Sequence, residues 1–323
     1  MKILITGCAG FIGFHLIKKL LKEKNIEVVG IDNINNYYDI KLKHSRLKNL
    51  KKFNKFKFFK IDLTDVKKID NFLKKKKIDF VINLAAQAGV RYSLKNPDQY
   101  INSNVLGFYN LLEKMKKYNV KNLLYASSSS VYGKIKSKVF SEDLTTDKQI
   151  SLYATSKKIN EVFMNFYGSV YDISNIGMRF FTVYGPYGRP DMAYFKFAKS
   201  IQERKKIYIH NYGKHARDFT YIDDCVECII KLIYLVKRKK MNTIVNIAGG
   251  NKINIKKMLT LIEKNFSRKA ITSYKALQFG DVKNTFSNPE KLKKLINYKP
   301  KTSLENGIAK FCDWYKKFYK ISL

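Results

Sequence analysis

A phenol and an ammonium four residues apart form the most reactive pair in the chain: Tyr153 and Lys157, in Tyr153-Ala-Thr-Ser-Lys157, share one face of any helix that holds both. A tyrosine in water titrates near ~10, and a neighbouring cation favours its phenolate. Tyr153 is therefore a candidate base for a hydroxyl being oxidised, with Lys157 as its electrostatic partner. Among 63 Lys and Arg residues such a pair also arises by chance. The hydroxyls of Ser127-Ser-Ser-Ser-Val-Tyr-Gly133 change that reading. They follow an apolar run that reads as a strand, and small hydroxyls at a strand end can donate to a substrate oxygen without filling the pocket.

A second constellation stands at the N-terminus. Gly7, Gly10 and Gly13, in Thr6-Gly-Cys-Ala-Gly-Phe-Ile-Gly13, follow one apolar run and open an amphipathic one. Gly10, Phe11, Ile12 and Gly13 thus lie where backbone N–H groups and the helix dipole can hold a pyrophosphate. Asp32 ends the second strand, where a carboxylate can accept hydrogen bonds from an adenosine ribose and would repel a 2′-phosphate, which favours NAD over NADP. Asn33 follows it. Asp62 and Leu63 come after the third strand, at the edge where an adenine would lie, and Leu84, Ala85 and Ala86 come after the fourth, leaving room for close approach of the cofactor. Serine, tyrosine and lysine behind a dinucleotide fingerprint mean hydride transfer at a carbinol carbon.

Such residues need a scaffold that brings successive strand ends together. Short apolar runs at 2–6, 27–31, 57–61, 80–84, 123–127 and 174–179 alternate with helical stretches such as 11–23, 98–118 and 153–167. The expected fold is α/β, a Rossmann-type doubly wound parallel sheet with a smaller C-terminal α/β substrate-binding domain. Residues 1–179 form the NAD-binding domain, with 223–247 returning to it as one helix and one strand; 180–222 and 248–323 form the second. A loop with Gly185, Pro186, Gly188 and Pro190 marks the change, and a last helix is expected over 304–319.

Composition sets the outer bounds. The chain has 323 residues and a formal charge of +37, which raises nucleic acid as a partner, but only eight of the basic residues are Arg and the Lys are spread throughout, the look of a compositional bias. No nucleic acid and no membrane partner is expected: no apolar run approaches the ~20 residues that cross a bilayer, and a cytoplasmic location is expected. Cys8, Cys225, Cys228 and Cys312 do not make a disulfide framework, and Cys225-x-x-Cys228 lacks a second ligand pair, so the cysteines read as core and no metal is expected.

The chain resembles the extended short-chain dehydrogenase/reductase family and, within it, the nucleotide-sugar epimerases, over nearly its whole length. The resemblance rests on Thr6 to Gly13, Ser127 to Gly133, Tyr153-x-x-x-Lys157 and Arg217-Asp-Phe-Thr-Tyr-Ile-Asp-Asp224. Four further segments resemble the UDP-glucuronate 4-epimerase branch: Asp32-Asn-Ile-Asn-Asn-Tyr-Tyr-Asp39, Ala85-Ala-Gln-Ala-Gly-Val-Arg-Tyr-Ser93, Arg179-Phe-Phe-Thr-Val-Tyr-Gly-Pro-Tyr-Gly-Arg-Pro-Asp-Met-Ala193, and Gly280-Asp-Val-Lys-Asn-Thr285. What this implies is a UDP-sugar substrate epimerised at C4 through a transient 4-keto sugar, NAD retained in the site, and a homodimer pairing helices 98–118 and 153–167 through Tyr109, Leu112, Met115, Val162, Phe163 and Phe166. By the same resemblance Tyr153 is the base, Lys157 also anchors the ribose, and Ser128 bonds the sugar O4. Arg217 and Asp281 hold the UDP, joined by Arg189 and Gln278, while Thr182 meets the sugar. Ser127, Ser128 and Thr182 are the candidates to hold a glucuronate carboxylate. Asn83 and Tyr187 stand where the family has His and Trp, and 270–276 fits its pattern poorly.

Related dehydratases and decarboxylases of this fold carry acidic groups beside the serine, where this chain has Ser128-Ser129-Ser130, so elimination and decarboxylation are disfavoured. The alternatives are UDP-glucose or UDP-N-acetylglucosamine as substrate and, from a different class, a non-catalytic dinucleotide- or nucleic-acid-binding protein suggested by charge alone.

Overall fold

Alternation along the strands shows why this sheet is buried on both faces. In the computed structural model, which describes residues 1–135, 137–276 and 286–321, Ile3 and Ile5 enter one apolar cluster and Leu4 another. Val28 and Val29, Ile82 and Val81, and Leu124 and Leu123 divide in the same way. The first cluster is closed by Phe14, Leu16 and Ile17 from helix Phe11–Leu20 and by Ile229, Leu232 and Ile233 from helix Ile222–Arg238. The second is closed by Ile69, Phe72, Leu111, Leu112, Met115 and Met164. Cys8, Cys225, Cys228 and Cys312 are free and buried in the first cluster, as core cysteines.

The strands in chain order are β1 (Lys2–Thr6), β2 (Glu27–Asp32), β3 (Phe56–Lys60), β4 (Phe80–Asn83), β5 (Asn122–Ser128), β6 (Ser174–Phe180), β7 (Thr182–Tyr184), β8 (Ile207–Ile209), β9 (Ala216–Tyr221), β10 (Asn242–Ile247), β11 (Lys252–Asn254) and β12 (Thr272–Tyr274). Seven of them form the main parallel sheet in the order β10-β6-β5-β4-β1-β2-β3. The chain runs outward from β1 to β3, then returns to the other side of β1 with β4, which makes the carboxyl ends of β1 and β4 the switch point where open sheets bind ligands. β10, from the expected returning segment, closes the sheet beside β6. β9 lies between β11 and β7 in a second sheet, and β12 pairs with β8. The poorly matching stretch 270–276 thus supplies the strand beside Ile207–Ile209.

The helix expected over 98–118 is three pieces: Pro97–Tyr100, a π-helical stretch Ile101–Leu106, and helix Gly107–Lys117. Asn104 is the reason. Its side chain accepts from Gln87 N at 2.7 Å and donates to Gln87 O and Ser156 Oγ, each at 2.9 Å, while its carbonyl takes Asn160 Nδ2 at 2.7 Å. A wider turn delivers that buried side chain to its partners where a regular helix would rotate it away. Leu112 and Met115, expected on a partner-facing side, are wholly buried in the core instead.

Candidate active site

At the end of β1, Thr6 donates to Asn83 Oδ1 at 2.6 Å and accepts from Ala85 N at 3.1 Å, locking the tips of β1 and β4 together. Asn83 performs this tie where the family has His. Gly7 then turns with φ +68°, and a Cβ there would lie 2.7 Å from Ala85 N; a Cβ on Gly13 would strike Gly7 O. These glycines are required by the turn's own backbone packing, which lets helix Phe11–Leu20 start directly at the switch point. That helix has no side-chain cap, so its first N–H groups are left for an anion at the cavity wall formed by Gly10, Phe11, Ile12 and Gly13. A pyrophosphate fits such a cradle.

The Asp32 carboxylate lies deeper on the same wall and accepts from Ala9 N at 3.1 Å and Ile34 N at 2.9 Å. Burial pushes its pKa above the ordinary carboxylate value, against the pull of Lys43 and those N–H groups. Asn33 donates to Asp62 at 2.7 Å, joining the carboxyl ends of β2 and β3. Although burial raises it, bonds from Asn33 and Thr64 hold Asp62 below the usual range. Leu63, Leu84, Ala85 and Ala86 line the same cavity, of about 1260 Å³.

The catalytic end is built by helix Leu152–Val170, whose first turn is capped by Ser151 accepting from Ala154 N at 3.1 Å. Tyr153 and Lys157 line the cavity from this helix and Ser128 lines it from the end of β5. Ser128 accepts from Ser130 N at 3.2 Å and stands beside Tyr153, whose phenol it pulls towards a lower pKa. Burial raises the Tyr153 pKa; Ser128 and Arg189 pull it back down, and Asp191 adds to the rise. Burial alone lowers Lys157, to about 8. Burial of the phenol and of the amine thus opposes the charged form of each.

Ser127 and Ser128 part ways. Ser127 Oγ donates to Glu161 Oε1 at 2.6 Å, and Glu161 takes Arg179 in a two-pronged pair at 2.8 and 2.9 Å, all buried. Ser127 borders the cavity, but its hydroxyl belongs to this network. Thr182, at the start of β7, lines the cavity together with Arg217 of β9. Arg189 lines the cavity near Tyr153, where its Nε and Nη2 both reach Asp191 and Tyr37 donates to Asp191 at 3.2 Å. Gln278, Asp281 and the 280–285 motif lie outside the described residues. Sequence reasoning missed Glu161, Arg179, Tyr37 and Asp191 as parts of the site. Glu161 had a signal, being one further step of four beyond Tyr153 and Lys157 on the same helical face.

A doubly wound sheet with a dinucleotide cradle at its switch point and a Ser/Tyr/Lys set one strand away defines a Rossmann-type oxidoreduction site. Residues 3–248 match the NAD dependent epimerase/dehydratase family, and the chain belongs to it. The UDP-glucuronate 4-epimerase of Thermodesulfobacterium geofontis is 43% identical over 97% of this chain and 96% of its own length. A probable UDP-glucuronate 4-epimerase of Rhizobium meliloti is 40% identical over 99% and 98%. The crystal structure of UDP-glucuronic acid 4-epimerase from Bacillus cereus, in complex with UDP-glucuronic acid and NAD, superposes with a TM-score of 0.92 at 35% identity, covering 99% of this chain and 100% of that one.

Proposed function

We propose that this chain is an NAD-retaining isomerase that inverts C4 of UDP-glucuronate to give UDP-galacturonate. The observation that carries the reading is that Ser128, Tyr153 and Lys157 line one cavity with the glycines of the Gly7–Gly13 turn. The residues that would hold NAD are Gly10 to Gly13 at the pyrophosphate, Asp32 and Asn33 at the ribose, Asp62 and Leu63 at the adenine, and Leu84, Ala85, Ala86, Tyr153 and Lys157 towards the nicotinamide. When bound, NAD supplies the hydride acceptor for C4 and the return of that hydride to either face. Tyr153 takes the O4 proton and gives it back, with Ser128 holding O4 in line. Arg217, with Gln278 and Asp281, keeps the UDP clamped while the ring turns over.

A 4-keto glucuronate is a β-keto acid, so the site must hold its carboxylate away from the geometry for carbon–carbon cleavage. With the Ser127 hydroxyl engaged by Glu161, that task falls to Ser128 and Thr182, while Arg189 joins Arg217 in holding the UDP. Ile101, Leu106, Tyr109, Val162, Phe166 and Val170 expose an apolar stripe on neighbouring helices, which supports the homodimer. Among the described residues no helix is long and apolar enough to cross a membrane; we place the protein in the cytoplasm, with its nucleotide-sugar substrate.

The test gives purified protein UDP-glucuronate, UDP-glucose and UDP-N-acetylglucosamine separately, without added NAD, and resolves the products by NMR with a check for carbon dioxide. UDP-galacturonate as the fastest-formed product is expected. Faster turnover of either neutral sugar would overturn the substrate, and a requirement for added NADP would overturn the reading of Asp32.

A further inference from the structure

Arg46 is a fully buried cation in helix Ile40–Leu50, and its guanidinium is spent on loops, not on a carboxylate. Nη1 donates to Ala9 O at 2.8 Å, inside the Gly7–Gly10 turn, and to the Tyr38 hydroxyl at 2.6 Å. Nη2 donates to Tyr187 O at 2.6 Å and Gly188 O at 3.2 Å, immediately before Arg189. One planar group therefore bonds the dinucleotide turn with one arm and the substrate loop with the other.

A second side chain acts beside it. His15, from the helix that the glycine turn opens, bonds Pro186 O through Nε2 at 2.8 Å. Burial, with Arg46 and Lys18 nearby, lowers its pKa to about 3, so the ring is neutral and this nitrogen is the donor. Three consecutive carbonyls, from Pro186 to Gly188, are thus held by the cofactor half of the molecule. Tyr187 adopts φ +55° to present its carbonyl, a left-handed conformation that is strained for a non-glycine residue and must be held in place by its surroundings. Its ring packs on Phe14 and Trp314.

We propose that Arg46 is a positioning residue that clasps the dinucleotide turn to the loop carrying Arg189, so that occupancy of the cofactor site and occupancy of the UDP-sugar site favour each other. The guanidinium is rigid and cut off from water, so a shift of either loop breaks bonds that water cannot replace, and each ligand that settles one loop settles the other. Such coupling is reciprocal. The proposal rests on the NAD reading above.

Holoprotein is prepared as wild type, Arg46→Lys, Arg46→Met and Tyr38→Phe, and loss of NAD is followed with and without saturating UDP, with thermal unfolding recorded for each. UDP is expected to slow NAD loss about tenfold or more in wild type, in the usual range for coupled sites. In Arg46→Met the factor should fall below about twofold, with Arg46→Lys and Tyr38→Phe between, since a lysine keeps the charge but loses the two-armed geometry. A merely structural role would lower the unfolding temperature and leave the UDP factor alone. A wild-type factor in folded Arg46→Met overturns the clasp; should that variant not fold, a wild-type factor in Tyr38→Phe does so. Wild-type protein that neither carries nor rebinds NAD overturns the cofactor reading itself, and the clasp with it.

Discussion

Ser127 and Ser128 are adjacent in β5, yet they serve two different residues of one helix: Ser127 donates to Glu161 at 2.6 Å, and Ser128 stands beside Tyr153 in the cavity. Those partners are about two turns apart on the same helical face. The Ser127 bond ties the strand tip to that helix, and the Glu161–Arg179 pair beneath sets where Ser128 can stand.

Tyr153→Phe should lower turnover by ~10²–10⁴-fold, because a general acid/base is worth that much. Binding of the UDP-sugar should change only a few-fold, since the phenol acts mainly in the transition state. Single-turnover kinetics beside calorimetric binding separates the two. A variant that keeps a tenth of the wild-type rate would require another base.

Glu161→Ala should destabilise the protein by roughly 3–5 kcal/mol, the cost of leaving a buried Arg179 unpaired. Ser127→Ala should cost about 1 kcal/mol for a single lost hydrogen bond. Urea unfolding of both variants checks this, and a Ser127→Ala that left stability untouched while raising KM would return its hydroxyl to the substrate.

The low value of Lys157, about 8 against an ordinary 10.5, gives a pH dependence of known sign. The folded state prefers the neutral amine, so the cost of the buried charge is present in full below about pH 8 and is relieved as pH rises towards 10.5. In NAD-free protein, Lys157→Met should be more stable than wild type at pH 7, by a margin that shrinks by pH 10. Urea midpoints at the two pH values test it; a constant margin would refute the buried-charge account.

Val162→Lys combined with Phe166→Lys puts two charges into the exposed apolar stripe. Light scattering at micromolar concentration should show a dimer for wild type and a monomer for the double variant. A monomeric wild type would remove the homodimer.

Thr182→Ala should slow epimerisation of UDP-glucuronate, or let a UDP-pentose appear through lost carbon dioxide, and leave neutral UDP-sugars little changed. Product NMR reads both outcomes. Equal losses on charged and neutral sugars would take the carboxylate away from Thr182.

Local chemistry determined much of this protein in advance. A glycine turn between an apolar run and an amphipathic one, and a tyrosine and lysine four apart, are short-range patterns whose geometry comes from helix and strand periods. They marked the cofactor cradle and the catalytic pair, and strand alternation marked the doubly buried sheet. Only the tertiary structure decided that Leu112 and Met115 are core, because helix Gly107–Lys117 turns both into the apolar cluster beneath the sheet. It alone decided that adjacent serines serve different partners, and that Tyr153 and Lys157 are both buried away from water. It alone brought Arg46 to a loop 141 residues further along the chain and tied that loop to the glycine turn. These outcomes depend on which side chains packing brings together and deprives of water, and no local spacing in the chain encodes that.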